Sequence, residues 1–443
     1  MTLAASVPSE FQNLAKWVIF TITYIGIAIG GFPKLVIDRV GVALLGAIAM
    51  LAVQGISIRQ AASPEIISYE TILLLFGLMI FSAQLRVAGF YAIAGRFLTR
   101  LTDRPKLLLA GLIAISAFLS ALLANDIVCL AFTPLLCDAL LSARRNPLPY
   151  LLALATSSNI GSAATIIGNP QNMHIGAHAG LNFGHFALIM LPPVLVGLVL
   201  NFLGVVWLFG KKLGEECAIC PPAPSETKSH EGETLIPSSL PLQTGDDAPD
   251  WWLIGKTLAL LVILVGVFLF ANGEARAIAA LAGAGVLLLS HRAKAAKLYQ
   301  FVDWNLLLLF LGLFVVNGAV KPLVADAFER VRAAGLNVEN PLTLSSVTLV
   351  LSNLVSNVPA VLLLQTPLDA APAEHRQQLW YLLALVSTWA GNLTLVGSIA
   401  NLIVAESAAA FGVKVGLKDY CKLGVPLTIV TVAIGVAWML WVM

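Results

Sequence analysis

Charge is scarce in this chain: Asp, Glu, Lys and Arg together make up 11% of 443 residues, against 58% hydrophobic residues. Soluble domains carry roughly 25% charged residues, so no large soluble domain fits here. The net charge is only +2, and the basic residues sit in short clusters between apolar segments rather than in a patch that would suit nucleic acid. Cysteine is sparse as well, with five residues. Cys129, Cys137 and Cys421 lie in or beside apolar segments as small hydrophobes, and the one close pair, Cys217-Ala-Ile-Cys220, lacks the second pair that a metal or redox framework needs. A complete G-x-x-x-x-G-K-S/T nucleotide loop is missing, since Gly255-Lys256-Thr257 follows Asp250 where the first glycine belongs, which argues against ATP-driven transport within this chain. His230-Glu231 lacks the second histidine of a zinc-protease helix. Met1 to Leu14 has no basic start or cleavage site of a secretory signal, so the first apolar stretch is expected to remain as a helix.

What is present is apolar sequence in lengths that suit a bilayer, where a spanning helix takes about 20 residues. Apolar segments fall near 15–32, 39–57, 67–85, 106–123, 125–141, 149–177 and 184–210, and again near 251–271, 274–290, 303–320, 342–355, 357–367, 379–406 and 419–442. Between the sets, 211–250 has the Pro-, Ser- and acid-rich composition of a linker. The expected fold class is an all-α polytopic membrane protein with an N-terminal repeat over 1–210, a cytoplasmic linker over 211–250 and a C-terminal repeat over 251–443.

The two sets are copies. Tyr150-Leu-Leu-Ala-Leu opens a run ending Thr165-Ile-Ile-Gly168-Asn-Pro-Gln-Asn172, and Tyr381-Leu-Leu-Ala-Leu opens one ending Thr394-Leu-Val-Gly397-Ser-Ile-Ala-Asn401. Leu73-Leu-Leu-Phe76 likewise matches Leu307-Leu-Leu-Phe310, with Glu70 and Asp303 near the helix starts. Each copy also holds two short apolar arms around a polar tip, at Asn125-Asp126 and at Ser356-Asn357. These read as re-entrant hairpins, with kinked full spans as the alternative. Phe90–Leu101 and Val324–Ala334 read as interfacial helices preceding the hairpins. Lys and Arg clusters fall on one side, the cytoplasmic side by the positive-inside rule, if each half has five spans and one hairpin. That odd count inverts the second half relative to the first and puts both termini outside.

Chemistry is expected where polar residues interrupt the apolar runs. A carboxylate at membrane depth costs roughly 2.5–3.5 kcal/mol on insertion scales, so Asp126 calls for a partner, a proton, a cation or water. Asn125 and Asp126 have a second reading as caps on the following arm. The broken helices offer Ser158, Asn159, Gly161, Thr165, Gly168, Asn169 and Asn172 in one copy, and Asn392, Thr394, Gly397, Ser398 and Asn401 in the other. Glycines there supply the backbone freedom for unwinding, which frees carbonyls for a cation and N–H groups for an anion. Interhelical hydrogen bonding is the competing role for any one of these residues. His174 and His178, at the far end of the first broken helix, read as interface histidines or a pH sensor. Lys256 reads as a snorkelling lysine and Glu406 as solvated.

These residues resemble the ion transporter superfamily, which includes arsenite permeases, divalent-anion symporters and citrate transporters. Asn159-Ile-Gly-Ser-Ala-Ala-Thr-Ile-Ile-Gly-Asn-Pro-Gln-Asn172 is similar to the family's N-I-G-x-x-x-T-x-I-G-x-P-x-N broken helix. Ala124-Asn-Asp126-Ile-Val-Cys-Leu-Ala-Phe-Thr-Pro134 is similar to the arsenite-permease hairpin. The resemblance implies a scaffold domain, a transport domain that often moves as an elevator, and a homodimer. It also implies one half-site near Asn125 and Asn159 and another near Asn357 and Thr394. Ala-Asn-Asp and Ser-Asn-Val replace the Ser-Asn-Thr tips of dicarboxylate symporters. The expected activity is secondary transport of a small anion or oxyanion-like solute across the inner membrane. No enzyme chemistry, cofactor or nucleic acid is expected, and sodium or protons would be the coupling ion. A sodium/proton antiporter, an arsenite/antimonite efflux permease and a channel are the rivals.

Overall fold

The computed structural model describes residues 9–32, 37–214, 248–290, 292, 294–335 and 337–443. Cys217, Cys220, His230 and nearly all of the linker lie outside the described residues. The first half runs through α1 (Ser9–Ile29), α2 (Arg39–Ala52), α3 (Ile58–Ala61), α4 (Tyr69–Val87), α5 (Phe90–Thr99), α6 (Pro105–Leu122), α7 (Asn125–Ser142), α8 (Leu148–Ser162), α9 (Pro170–His178) and α10 (Phe183–Gly214). The second runs through α11 (Trp251–Phe270), α12 (Gly273–Leu288), α13 (Ala295–Tyr299), α14 (Trp304–Ala333), α15 (Pro341–Val355), α16 (Asn357–Ala370), α17 (Ala373–Ala390), α18 (Ile399–Ala409) and α19 (Leu417–Val442). The β structure among the described residues is a two-residue ladder, Gly31–Phe32 against Ile37–Asp38. Among the described residues, eight helices are long and apolar enough to cross a membrane.

Local chemistry sets the helix starts. Asp38, Asp250 and Asp303 accept from first-turn N–H groups of α2, α11 and α14, with Gly41 N to Asp38 Oδ1 at 2.8 Å and Leu306 N to Asp303 Oδ1 at 2.9 Å. Pro105, Pro170 and Pro341 open α6, α9 and α15, where a missing N–H is harmless. Lys256 on α11 donates to the carbonyls of Val286, at 2.6 Å, and Leu289 at the end of α12. It bonds backbone while its ammonium stays exposed.

The hairpins form, with unequal arms. α6 and α7 are 18 residues each, about 27 Å at 1.5 Å per residue, whereas α15 and α16 are 15 and 14, about 22 Å. Each pair packs together and returns the chain to its starting side, so entering the bilayer part-way or crossing it twice leaves the parity of crossings unchanged. The two expected interfacial helices differ. Gly89, at φ +82°, breaks α4 from α5, so Phe90–Thr99 is a separate helix. Val324–Ala334 has no such break and forms the last turns of the 30-residue α14.

Packing repeats what the sequence repeats. α2 lies on α14 and α12 lies on α4, each helix crossing to the other half. A Cβ on Gly77 would come within 2.9 Å of the Ala280 backbone, and one on Gly312 within 2.8 Å of the Ala43 backbone. The same close approach is therefore built twice. α8 packs between α6 and α10 and α17 between α15 and α19, while α10 and α19 meet across the halves.

Overpacking at such a contact typically costs 1–3 kcal/mol. Gly77→Ala and Gly312→Ala should each lower the thermal unfolding temperature of the detergent-purified protein by a similar amount. Gly285→Ala, where a Cβ meets nothing within 4 Å, should leave it unchanged or raise it. A Gly77→Ala protein as stable as the parent would refute the close approach.

Candidate functional site

The polar residues of α8 and of the inner turns of α17 have neither lipid nor water to face. Every residue from Pro149 to Ser162 is buried, and so is every residue from Leu379 to Ala390. Hydroxyls and amides there must bond to one another or to freed backbone. α8 ends at Ser162, and the chain runs irregularly through Ala163–Gly168 until Asn169 caps α9, with Asn172 N donating to Asn169 Oδ1 at 2.9 Å. The second copy breaks after Ala390, passes a short 3-10 turn at Leu395–Gly397 and restarts at Ile399.

Asn159 is the hub. Its Nδ2 donates to Asn392 Oδ1 at 2.9 Å and to Asn401 Oδ1 at 3.0 Å, while its Oδ1 accepts from Asn125 Nδ2 at 3.0 Å and Ser398 Oγ at 3.2 Å. One side chain thus joins a hairpin tip of the first half to both sides of the break in the second. All four of its hydrogen-bonding positions are taken.

The converse set of bonds completes the arrangement. Counted back from the matched Thr165 and Thr394, Asn159 falls opposite Thr388. Thr388 Oγ1 accepts from Asn169 Nδ2 at 3.1 Å, as Asn159 accepts from Ser398, while it gives its one proton to Ala384 O at 2.8 Å and lies 3.4 Å from Asn172 Oδ1. Asn172 Nδ2 reaches Thr165 O at 3.4 Å, and Asn401 Nδ2 reaches Thr394 O at 3.2 Å. Each broken helix is latched by the other through matched positions.

The structure assigns several expected residues to packing. A Cβ on Gly161 would collide with the Ala117 backbone of α6, one on Gly168 with Ser162 O, and one on Gly397 with Asn353 Oδ1 at 2.7 Å. Thr165 donates from Oγ1 to Ala121 O, and Thr394 donates to Asn353 Oδ1 at 3.0 Å, so both threonines tie a break to a hairpin arm. Ser158 donates to Asn125 O at 3.4 Å and accepts from Cys129 Sγ.

At the tips the copies part. The capping role considered for Asn125 and Asp126 is not what forms: α7 starts without a side-chain cap because Asn125 turns to Asn159. Asp126 stands in the first turn of α7 with no hydrogen bond or ion pair among the described residues, and the charge that acts on it is that of Asp303. At the second tip, Asn357 Oδ1 is buried without a partner among the described residues while its Nδ2 lies near Gly391. Ser356 holds φ 75° and ψ 161°, a region that is essentially glycine's own. Leu123 and Ala124 turn the first hairpin at negative φ.

Sequence reasoning passed over Asn353, whose Nδ2 donates to Ala390 O at 2.9 Å as its Oδ1 receives Thr394. Its signal was a polar residue one turn before a hairpin tip. Asn201 was passed over too; it accepts from Thr156 Oγ1 at 2.9 Å, one turn before Asn159.

A neutral polar core held between two matched sets of apolar helices defines a multi-pass membrane transporter. The citrate transporter family profile matches residues 17–390, and the chain belongs to that family. It is 32% identical to the silicon efflux transporter LSI3 of Oryza sativa subsp. japonica, over 91% of this chain and 93% of that one. It is 29% identical to a putative transporter arsB of Dictyostelium discoideum, over 90% and 87%. The YdaH transporter of Alcanivorax borkumensis shares the fold at a TM-score of 0.55 and 13% identity, covering 97% of this chain and 98% of that one.

Two substitutions test the site's energetics. Asn159→Ala orphans up to four buried groups, each worth about 1–3 kcal/mol, and should destabilise the protein strongly in thermal melts. Ser356→Gly should do the opposite, raising stability by roughly 1 kcal/mol or more as the left-handed strain is relieved. A neutral result for the first would dismiss Asn159 as the hub.

Proposed function

We propose that the protein is a secondary transporter that moves a small oxyanion-like solute, or its uncharged acid, by alternating access at the Asn159 latch. The observation that carries this reading is the reciprocal bonding of Asn159 with Ser398 and Asn401 and of Thr388 with Asn169. An oxygen-rich solute can replace such amide and hydroxyl partners one for one, and separating the two breaks opens a path between the halves. The named network contains no Lys or Arg, which favours a hydroxylated solute of low charge over a dicarboxylate. The relatives named as a silicon efflux transporter and an arsB transporter support the same direction.

In this reading Asn125, Ser158, Asn159, Asn169, Asn172, Asn392, Ser398 and Asn401 bind solute. Asp126 is the proton- or sodium-linked carboxylate, because it alone among these groups carries charge without a partner. Asn357 Oδ1, buried and unpaired, suits a cation or a solute hydroxyl. The halves act as inverted repeats in a homodimer of the inner membrane, with the linker cytoplasmic.

Proteoliposomes containing the full chain should take up arsenite or silicic acid saturably and in preference to citrate, with a rate that depends on pH or sodium. Asp126→Asn should flatten that dependence and slow net flux at least tenfold. Unchanged pH and sodium dependence in Asp126→Asn would remove the residue from coupling, and unitary currents in planar bilayers would make the protein a pore.

A further inference from the structure

The distal end of the first broken helix carries a second polar system, separate from the Asn159 latch. His174 is buried, with Nδ1 3.4 Å from Thr71 Oγ1 and Nε2 2.8 Å from Gln365 Oε1. Gln365 Nε2 lies 3.2 Å from His178 Nδ1, and His178 Nε2 lies 2.7 Å from Asp369 Oδ1. Asp369 is held as a carboxylate by Lys321 at 3.4 Å. The chain therefore ties α9 and α16 to α4, through Thr71, and to α14, through Lys321.

The donors and acceptors leave it one direction. A carboxylate only accepts, so His178 carries its proton on Nε2. The Gln365 amide donates to His178 Nδ1, which must then be bare, and the Gln365 carbonyl accepts from His174 Nε2–H. His174 Nδ1 accepts from Thr71, whose hydroxyl is 2.7 Å from Ser68 Oγ. Both imidazoles are neutral in this arrangement. Adding a proton to His178 Nδ1 would set two donors face to face. Rotating the Gln365 amide by half a turn removes the conflict, and its NH2 then needs a bare His174 Nε2. The His174 proton moves to Nδ1 and the Thr71 bond reverses. The two orientations of Gln365 thus correspond to two charge states of His178.

Access is built in at one end and denied at the other. The His178 and Asp369 side chains are 28% and 29% exposed, whereas His174 is 2% exposed. A cavity of about 440 Å³ lies beside both rings, lined among others by Glu65, Glu70 and Glu274, whose carboxylates supply its negative charge. Tyr69 lines it too. Arg276 on α12, which donates to Gly176 O at 3.2 Å, opposes that charge and acts on Glu70. From α17, the Trp380 ring meets His178 edge-on at 5.4 Å.

We propose that His178 is a proton-binding site whose occupancy is relayed through Gln365 to the buried His174 and Thr71, so that one proton resets hydrogen bonds between α9, α16 and α4. His178 is the group that takes the proton, Gln365 is the two-position link, and His174 is the readout.

The test is nitrogen NMR of the full chain in nanodiscs with labelled histidine, the rings assigned with His174→Asn and His178→Gln. As pH falls between about 8 and 5, His178 should become protonated on both nitrogens, and His174 should move its proton from Nε2 to Nδ1 at the same midpoint. In Gln365→Leu the His178 titration should persist while His174 stops following. In Gln365→Glu, whose carboxylate accepts from both rings, His174 should keep Nε2–H throughout. A His174 tautomer that stays fixed while His178 titrates, a His178 that does not titrate, or a coupled change surviving in Gln365→Leu would each overturn the proposal.

Discussion

Everything at the centre of this protein depends on one constraint: amides and hydroxyls removed from both water and lipid must satisfy one another. Pro149–Ser162 of α8 and Leu379–Ala390 of α17 are buried on all sides, so their polar residues cannot relax outward, and the groups freed where each helix breaks lie within reach of the other copy. Asn159 meets the constraint with four bonds, whereas Thr388 gives its one proton to Ala384 O and accepts from Asn169 across the halves. The breaks are stable because they are paired. That dependence makes them a junction that can open only by exchanging partners, which is what a solute path requires.

Much of this was legible in the chain. The doubled Tyr-Leu-Leu-Ala-Leu runs, the matched Thr165/Thr394 and Asn172/Asn401, and the apolar lengths located the helices and both breaks, because hydrophobic spacing and glycine placement are local properties. The partner of each amide was not legible. Nothing in the spacing says that Asn125 turns from its own helix to Asn159, since the capping bond is local and the bond that forms spans 34 positions. Gly161, Gly168 and Gly397 read as places of backbone freedom, while their use is to let another backbone or side chain come close. The second interfacial helix failed for a related reason. Charge on one face of Val324–Ala334 was visible, but the missing glycine that keeps α14 continuous carries more weight than amphipathicity.

The histidines show the same limit from another side. His174 and His178 lie one turn apart, which a sequence can report, but Gln365 and Asp369 come from the other half and turn two ordinary rings into a directed chain. Direction arises only from the whole set: a carboxylate at one end that can only accept, an amide in the middle that both donates and accepts, and a hydroxyl at the other end that can do either.

Symmetry in the latch and asymmetry at the tips divide the work between them. The matched bonds tie each break to the other, so those bonds alone do not distinguish one face of the molecule. Preference has to come from what is not repeated: a carboxylate without a partner at Asp126 against Val358 across the duplication, a strained Ser356 against a relaxed Leu123-Ala124 turn, and a histidine chain on α9 for which the second copy has no residues in α18. Strain and unpaired charge both persist only where surrounding structure holds them in place. With the first at one hairpin and the second at the other, the two tips differ in chemistry while the bonds at the centre are shared by both copies.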